Sequence, residues 1–81
     1  MTGFERYRRK KLLTRDQLAE YMGVTSAAVG KWESGKSFPT AEKLEKLSNL
    51  YGVPMNALMR SDYPENDLAL ASEPIDDAME A

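Results

Sequence analysis

Ser26, Ala27, Gly30, Lys31 and Ser34 are small or polar, and they fall at i, i+1, i+4, i+5 and i+8. On a helix these positions share one face. Val29 and Trp32, three apart, point to another. Such a helix is apolar behind and small in front, with one cation. It can enter the major groove of B-DNA, which is wide enough to admit it. Lysine donates to guanine O6 or N7 there, and an alanine methyl can touch the thymine methyl.

Other chemistries are poorly provided for. The 81 residues contain no cysteine and no histidine. Disulfides, thiolate metal sites, a cysteine nucleophile and the commonest general base are therefore excluded. No glycine-rich phosphate loop or paired carboxylate set stands out. The expectation is a protein without catalytic residues, metal or cofactor, and not an enzyme. No apolar run is long enough to span a bilayer, and residues 1–13 lack the apolar stretch of a secretory signal. A cytoplasmic location without a membrane is expected.

The net charge of −2 hides a segregation. Residues 1–60 hold all 11 lysines and arginines against 6 acids, a balance of +5. Residues 61–81 hold 7 acids and no base. A basic folded unit over 1–60 and an acidic, disordered tail over 61–81 follow from this composition. The basic part suits a polyanion.

The elements that position the small face can be read from caps and periodicity. Residues 4–11 form a short helix with Phe4 and Tyr7 on one side. Thr14 caps the next, Arg15 to Met22, with Gln17 where a capping box needs it and Leu18, Ala19 and Met22 as its apolar face. Gly23 ends that helix, because glycine accepts the left-handed conformation of a C-cap. Thr25 caps the third helix, Ser26 to Ser34, where Gly30 costs about 1 kcal/mol relative to alanine. Thr40 caps Ala41 to Tyr51, striped by Leu44, Leu47, Leu50 and Tyr51. A last helix spans Met55 to Arg60, with Leu58 and Met59 facing in. The second and third helices are joined only through residues 23–25, and a turn that short makes them cross steeply. The third is then held out from the body.

The ordered series Leu18-Ala19-Glu20, Gly23-Val24-Thr25, Val29, Lys31-Trp32-Glu33, Gly35-Lys36, Pro39-Thr40, Leu44, Leu47, Gly52-Val53 and Leu58 resembles the Cro/C1-type helix-turn-helix family of phage repressors and small bacterial regulators. The likeness covers roughly residues 4–60. It implies an all-α fold, a compact five-helix bundle of the lambda-repressor-like DNA-binding type, here with an acidic C-terminal tail. By position, Ser26, Ala27 and Lys31 would face base edges. Arg15, Thr25, Ser34 and Lys36 would sit near phosphates. Arg15 departs from the glutamine frequent at its place, keeping a phosphate-binding group and adding charge. Arg8 and Glu33 fall where many members pair an arginine of the first helix with a glutamate of the third.

Several residues keep two readings. Lys31 is a base reader or a solvated lysine. Arg8 pairs with Glu33 or binds phosphate. Arg9, with Arg6, Lys10 and Lys11, forms a phosphate-facing edge or a solvated surface. Phe38 is a partner or dimer contact, or a lid on the core. The tail is a solubilising end, a partner-binding helix using Leu68, Leu70, Ile75 and Met79, or a segment folded back on the basic face. The expected function is a sequence-specific transcriptional regulator, a repressor, that binds double-stranded DNA as a homodimer on a near-palindrome. The alternative is a protein-interaction module on the same fold, such as an antitoxin or a regulator with a partner on its tail.

Overall fold

A computed structural model describes residues 1–65. Within them the chain forms five helices and no strand: α1 (Gly3–Lys10), α2 (Arg15–Met22), α3 (Ser26–Ser34), α4 (Ala41–Tyr51) and α5 (Met55–Met59). The readings of residues 66–81, including Leu68, Leu70, Ile75 and Met79, lie outside the described residues.

Local chemistry explains where the helices begin. The hydroxyls of Thr2, Thr14, Thr25 and Thr40 accept hydrogen bonds from the backbone N–H of Glu5, Gln17, Ala28 and Lys43 respectively. Each satisfies a donor that the first helical turn leaves free. Thr14 and Gln17 form the full reciprocal box, Gln17 Oε1 accepting from the Thr14 N–H at 2.9 Å. Thr2 is a cap that residue pattern alone did not single out. Its hydroxyl also donates to the Glu33 carbonyl at 2.9 Å, which ties the start of α1 to the end of α3.

The core is Phe4, Leu18, Ala19, Met22, Val29, Trp32, Leu47 and Leu58, with Tyr7, Leu13, Val24, Leu44, Leu50, Tyr51 and Val53 packed around it. α3 packs on α2 and α1, and α5 on α1 and α4. Trp32 and Val29 are buried as their spacing predicts. Met59 is not: it is 50% exposed, because a helix as short as α5 turns only Leu58 fully inward. Phe38 is 61% exposed and its ring centroid lies 6.4 Å from that of Phe4, so it flanks the core without sealing it.

Packing continues past residue 60. Tyr63 is buried, its N–H donates to the Met1 carbonyl at 3.2 Å, and its hydroxyl donates to the Ala57 carbonyl at 3.1 Å. The guanidinium groups of Arg6 and Arg60 lie 4.2 and 4.4 Å from its ring centroid. Arg60 also pairs with Asp62 at 2.9 Å, which holds the Asp62 carboxyl below its ordinary pKa and raises that of Arg60.

Two backbone positions generate a pair of stability predictions. A Cβ on Gly3 would lie 2.1 Å from the Ala57 carbonyl oxygen and 2.7 Å from Leu58 Cα, so α1 and α5 touch there through backbone. Gly3→Ala is expected to destabilise the protein by about 2 kcal/mol through overpacking. Leu12 has φ 60°, a left-handed conformation, with its side chain 74% exposed. Leu12→Gly removes that strain while losing little packing, and is expected to stabilise by about 0.5–1 kcal/mol after glycine's greater unfolded-state entropy. Thermal unfolding of the two variants against the parent checks both; a fall for Leu12→Gly or no change for Gly3→Ala contradicts the packing described.

Candidate nucleic-acid interface

The site is built outward from a buried carboxylate. Glu33, on the rear of α3, has a side chain only 2% exposed. Its Oε2 accepts from Arg8 Nε at 2.5 Å and its Oε1 from Arg8 Nη2 at 3.2 Å. Arg8 Nη1 donates to the Leu13 carbonyl at 2.7 Å. Arg8 is thus committed to structure, the pairing that the family resemblance implies. A second arginine joins it: Arg15 Nε donates to Glu33 Oε1 at 3.1 Å. One carboxylate therefore links α1, α2 and α3. A bidentate arginine fork is the favoured geometry for such a contact.

Arg15 differs from Arg8 in its exposure. Its side chain is 52% exposed even though its Nε is held by Glu33. It lines an open groove of about 400 Å³ together with Arg8, Arg9, Thr14 and Asp16. Arg9 is exposed and pairs with Glu5 one turn back at 3.0 Å. The groove lies at the N-terminal end of α2, where free N–H groups and the helix dipole favour an anion.

The small face of α3 is turned outward. Ala27 and Lys31 are exposed and Ser26 is half-buried. Space is open where a Gly30 side chain would stand. The Ser26 hydroxyl donates to Asp16 Oδ1 on α2. Thr25, the N-cap, and Ser34, the last residue of the helix, are both exposed. The Thr25 hydroxyl accepts from the Ala28 N–H at 3.1 Å, and the Ser34 hydroxyl donates to the Lys31 carbonyl at 3.3 Å. Lys36 is exposed just beyond the helix, its N–H bonded to the Lys31 carbonyl at 2.9 Å. Among the described residues the exposed large apolar side chains are Leu12, Tyr21, Phe38, Met55 and Met59, and none of them is on α3. The structure thus gathers Arg9 and Arg15 at one groove and Ser26, Ala27 and Lys31 on the outer side of α3.

Two participants were not legible as such. Asp16 reads in the sequence as an ordinary first-turn acid, and Glu33 as the partner of one arginine. Their contacts to Ser26 and Arg15 join residues 10 and 18 apart in the chain, between helices, and no local spacing signals them. Behind them, the Tyr51 hydroxyl is buried with no hydrogen-bond partner among the described residues. Burial first, and the Glu33 charge second, push its pKa up, so it stays neutral.

A helix pinned from behind and small in front, beside a second helix whose N-terminus is lined with arginine, defines a helix-turn-helix protein. The helix-turn-helix family matches residues 4–58, and the chain belongs to that family. It is 38% identical over 58 residues to the HTH-type transcriptional activator BcrR of Enterococcus faecalis, covering 72% of this chain and 28% of that protein. It is 34% identical over 61 residues to the SPbeta prophage-derived uncharacterized HTH-type transcriptional regulator YonR of Bacillus subtilis (strain 168), covering 75% of this chain and 56% of that protein. The chain therefore spans less than two thirds of the length of either relative. No solved structure matches it. Among the described residues no helix is long and apolar enough to cross a membrane.

The ion triad makes a direct prediction. Glu33→Ala strands the buried Arg8 guanidinium and is expected to cost about 3–5 kcal/mol. Urea denaturation measures this; a loss below about 1 kcal/mol would show that water solvates Arg8 and that the triad does not hold the helices.

Proposed function

We propose that the chain is a sequence-specific DNA-binding transcriptional regulator and not an enzyme. In this reading α3 lies in the major groove. Ser26, Ala27 and Lys31 meet base edges. Arg15, Thr25, Ser34, Lys36 and Arg9 meet phosphates. The observation that carries it is the asymmetry of α3: Val29, Trp32 and Glu33 are buried, while Ala27 and Lys31 are exposed on a face without bulky side chains.

Each role has a physical basis. Arg15 is held by Glu33 through Nε, so its guanidinium meets a phosphate with less side-chain entropy to lose than an untethered arginine. The open space at Gly30 lets the helix approach base edges closely. Readers this short discriminate modestly per half-site, so a dimer on a near-palindrome, with half-sites about 34 Å apart, supplies the rest. Phe38, Met55 and Met59, which lie off α2 and α3, offer apolar surface for that association. Both relatives are named as transcriptional regulators or activators, which supports the reading. Whether transcription is repressed or activated depends on where the site lies relative to a promoter. The cytoplasm is the compartment where a bacterial or phage protein meets this partner. The acidic segment that begins at 61 is assigned no part in groove reading.

Selection from random duplexes, followed by salt titrations on the selected site, tests this. Lys31→Ala is expected to relax one position per half-site. Arg15→Ala is expected to weaken all sites alike and to reduce the slope of log K against log salt by about 1. Enrichment of no motif by the parent would favour the protein-interaction module instead, and parent-like behaviour of both variants would refute the residue roles.

A further inference from the structure

The N-terminal ends of α2 and α3 meet at a polar contact that phosphate binding does not use. Asp16 is the second residue of α2 and Ser26 the first of α3, and the Ser26 hydroxyl donates to Asp16 Oδ1. A carboxylate is an odd occupant of this place. It lines the same groove as Arg8, Arg9 and Arg15, and a surface that meets phosphates gains from cations and loses from anions. An acid in a first helical turn complements the dipole, which explains a carboxylate somewhere in that turn. It does not explain one bonded to a residue assigned to base edges.

The hydrogen-bond inventory supplies the reason. A serine hydroxyl has one hydrogen and two lone pairs, whereas an ionised carboxylate only accepts. A free serine therefore serves either class of base edge. With its hydrogen committed to Asp16, the Ser26 oxygen has only lone pairs to offer. In the major groove the exocyclic groups of adenine and cytosine are donors, N6 and N4, while guanine O6 and thymine O4 are acceptors.

The geometry points to Asp16 as a specificity-determining residue: by holding the Ser26 hydroxyl hydrogen it makes Ser26 an acceptor, which selects A or C over G or T at the base Ser26 faces. This inference rests on the groove-reading role proposed above and adds the choice that role makes at one position. The same carboxylate repels the phosphate backbone at every sequence. Asp16 therefore lowers non-specific affinity while sharpening the specific contact, and specificity is the difference of the two.

The test uses the full chain as parent, Asp16→Ala and Ser26→Ala, each taken through random-duplex selection and then measured on its selected site and on a scrambled duplex. Asp16 is exposed and Ser26 half-buried, so both variants are expected to fold, with melting midpoints lowered by no more than a few degrees through the lost dipole and Ser26 contacts. The parent motif is expected to carry A or C at one position per half-site, preferred roughly five- to tenfold over G or T. Ser26→Ala should level that position. Asp16→Ala should level the same position to within about twofold, keep the rest of the motif, and bind the scrambled duplex more tightly than the parent. A motif unchanged in Asp16→Ala overturns the role of Asp16 but leaves groove reading intact. So does a parent preference for G or T at the position Ser26→Ala levels, or a Ser26→Ala variant that levels none. Absence of any parent motif overturns groove reading itself, and this inference with it.

Discussion

The Glu33 carboxylate is the constraint on which the rest of the structure depends. It sits behind α3 and is shared by Arg8 of α1 and Arg15 of α2. Desolvating such a cluster is expensive, and a well-packed apolar replacement would often be as stable. Its value lies in geometry. Apolar contacts such as Val29 and Trp32 pack α3 against the core, but the hydrophobic effect behind them is non-directional. A fork of hydrogen bonds to a fixed carboxylate is directional. The Thr2 hydroxyl on the Glu33 carbonyl pins the same residue through its backbone. The rear of α3 is thereby set against α1 in both rotation and height.

From that anchor the front of the helix follows. With Glu33 inward, Ala27 and Lys31 are outward. Arg15, tied to the same carboxylate near the end of α3, opens α2, and the next residue, Asp16, meets Ser26 at the start of α3. The distribution of apolar surface agrees: the exposed leucine, methionines and aromatics lie off α3, which leaves its outer side free of groups that a DNA groove would exclude. Fold and function are linked through one residue that is expected to touch no DNA.

The fold was legible in the sequence because its signals are local. Threonine caps, glycines after the last helical turn and the leucine stripe of α4 each act within a few residues, and the boundaries of α2, α3 and α4 fall where those signals put them. The capping box of Thr14 and Gln17 is of this kind. What escaped was non-local or under-determined. Arg15 on Glu33 and Ser26 on Asp16 are contacts between helices. Tyr63 lies in a stretch whose acidity reads as tail, yet its ring packs between two arginines. α5 is too short for periodicity to place Met59, and Leu12 carries a bulky side chain where its left-handed backbone would suit glycine. The side-chain roles proposed at the interface rest on likeness to a family, because a lysine on a helix surface looks the same whether it meets a base or water.

The most direct measurement of the central claim is an NMR titration of the isotope-labelled protein with a duplex carrying its selected site. If α3 is presented as described, amide shifts concentrate at residues 14–16 and 25–31 and the Arg15 side-chain Nε–H moves, while Met55, Met59 and Phe38 change only in so far as a dimer forms. Shifts confined to α4 and α5, with residues 25–31 left as in the free protein, would contradict the account.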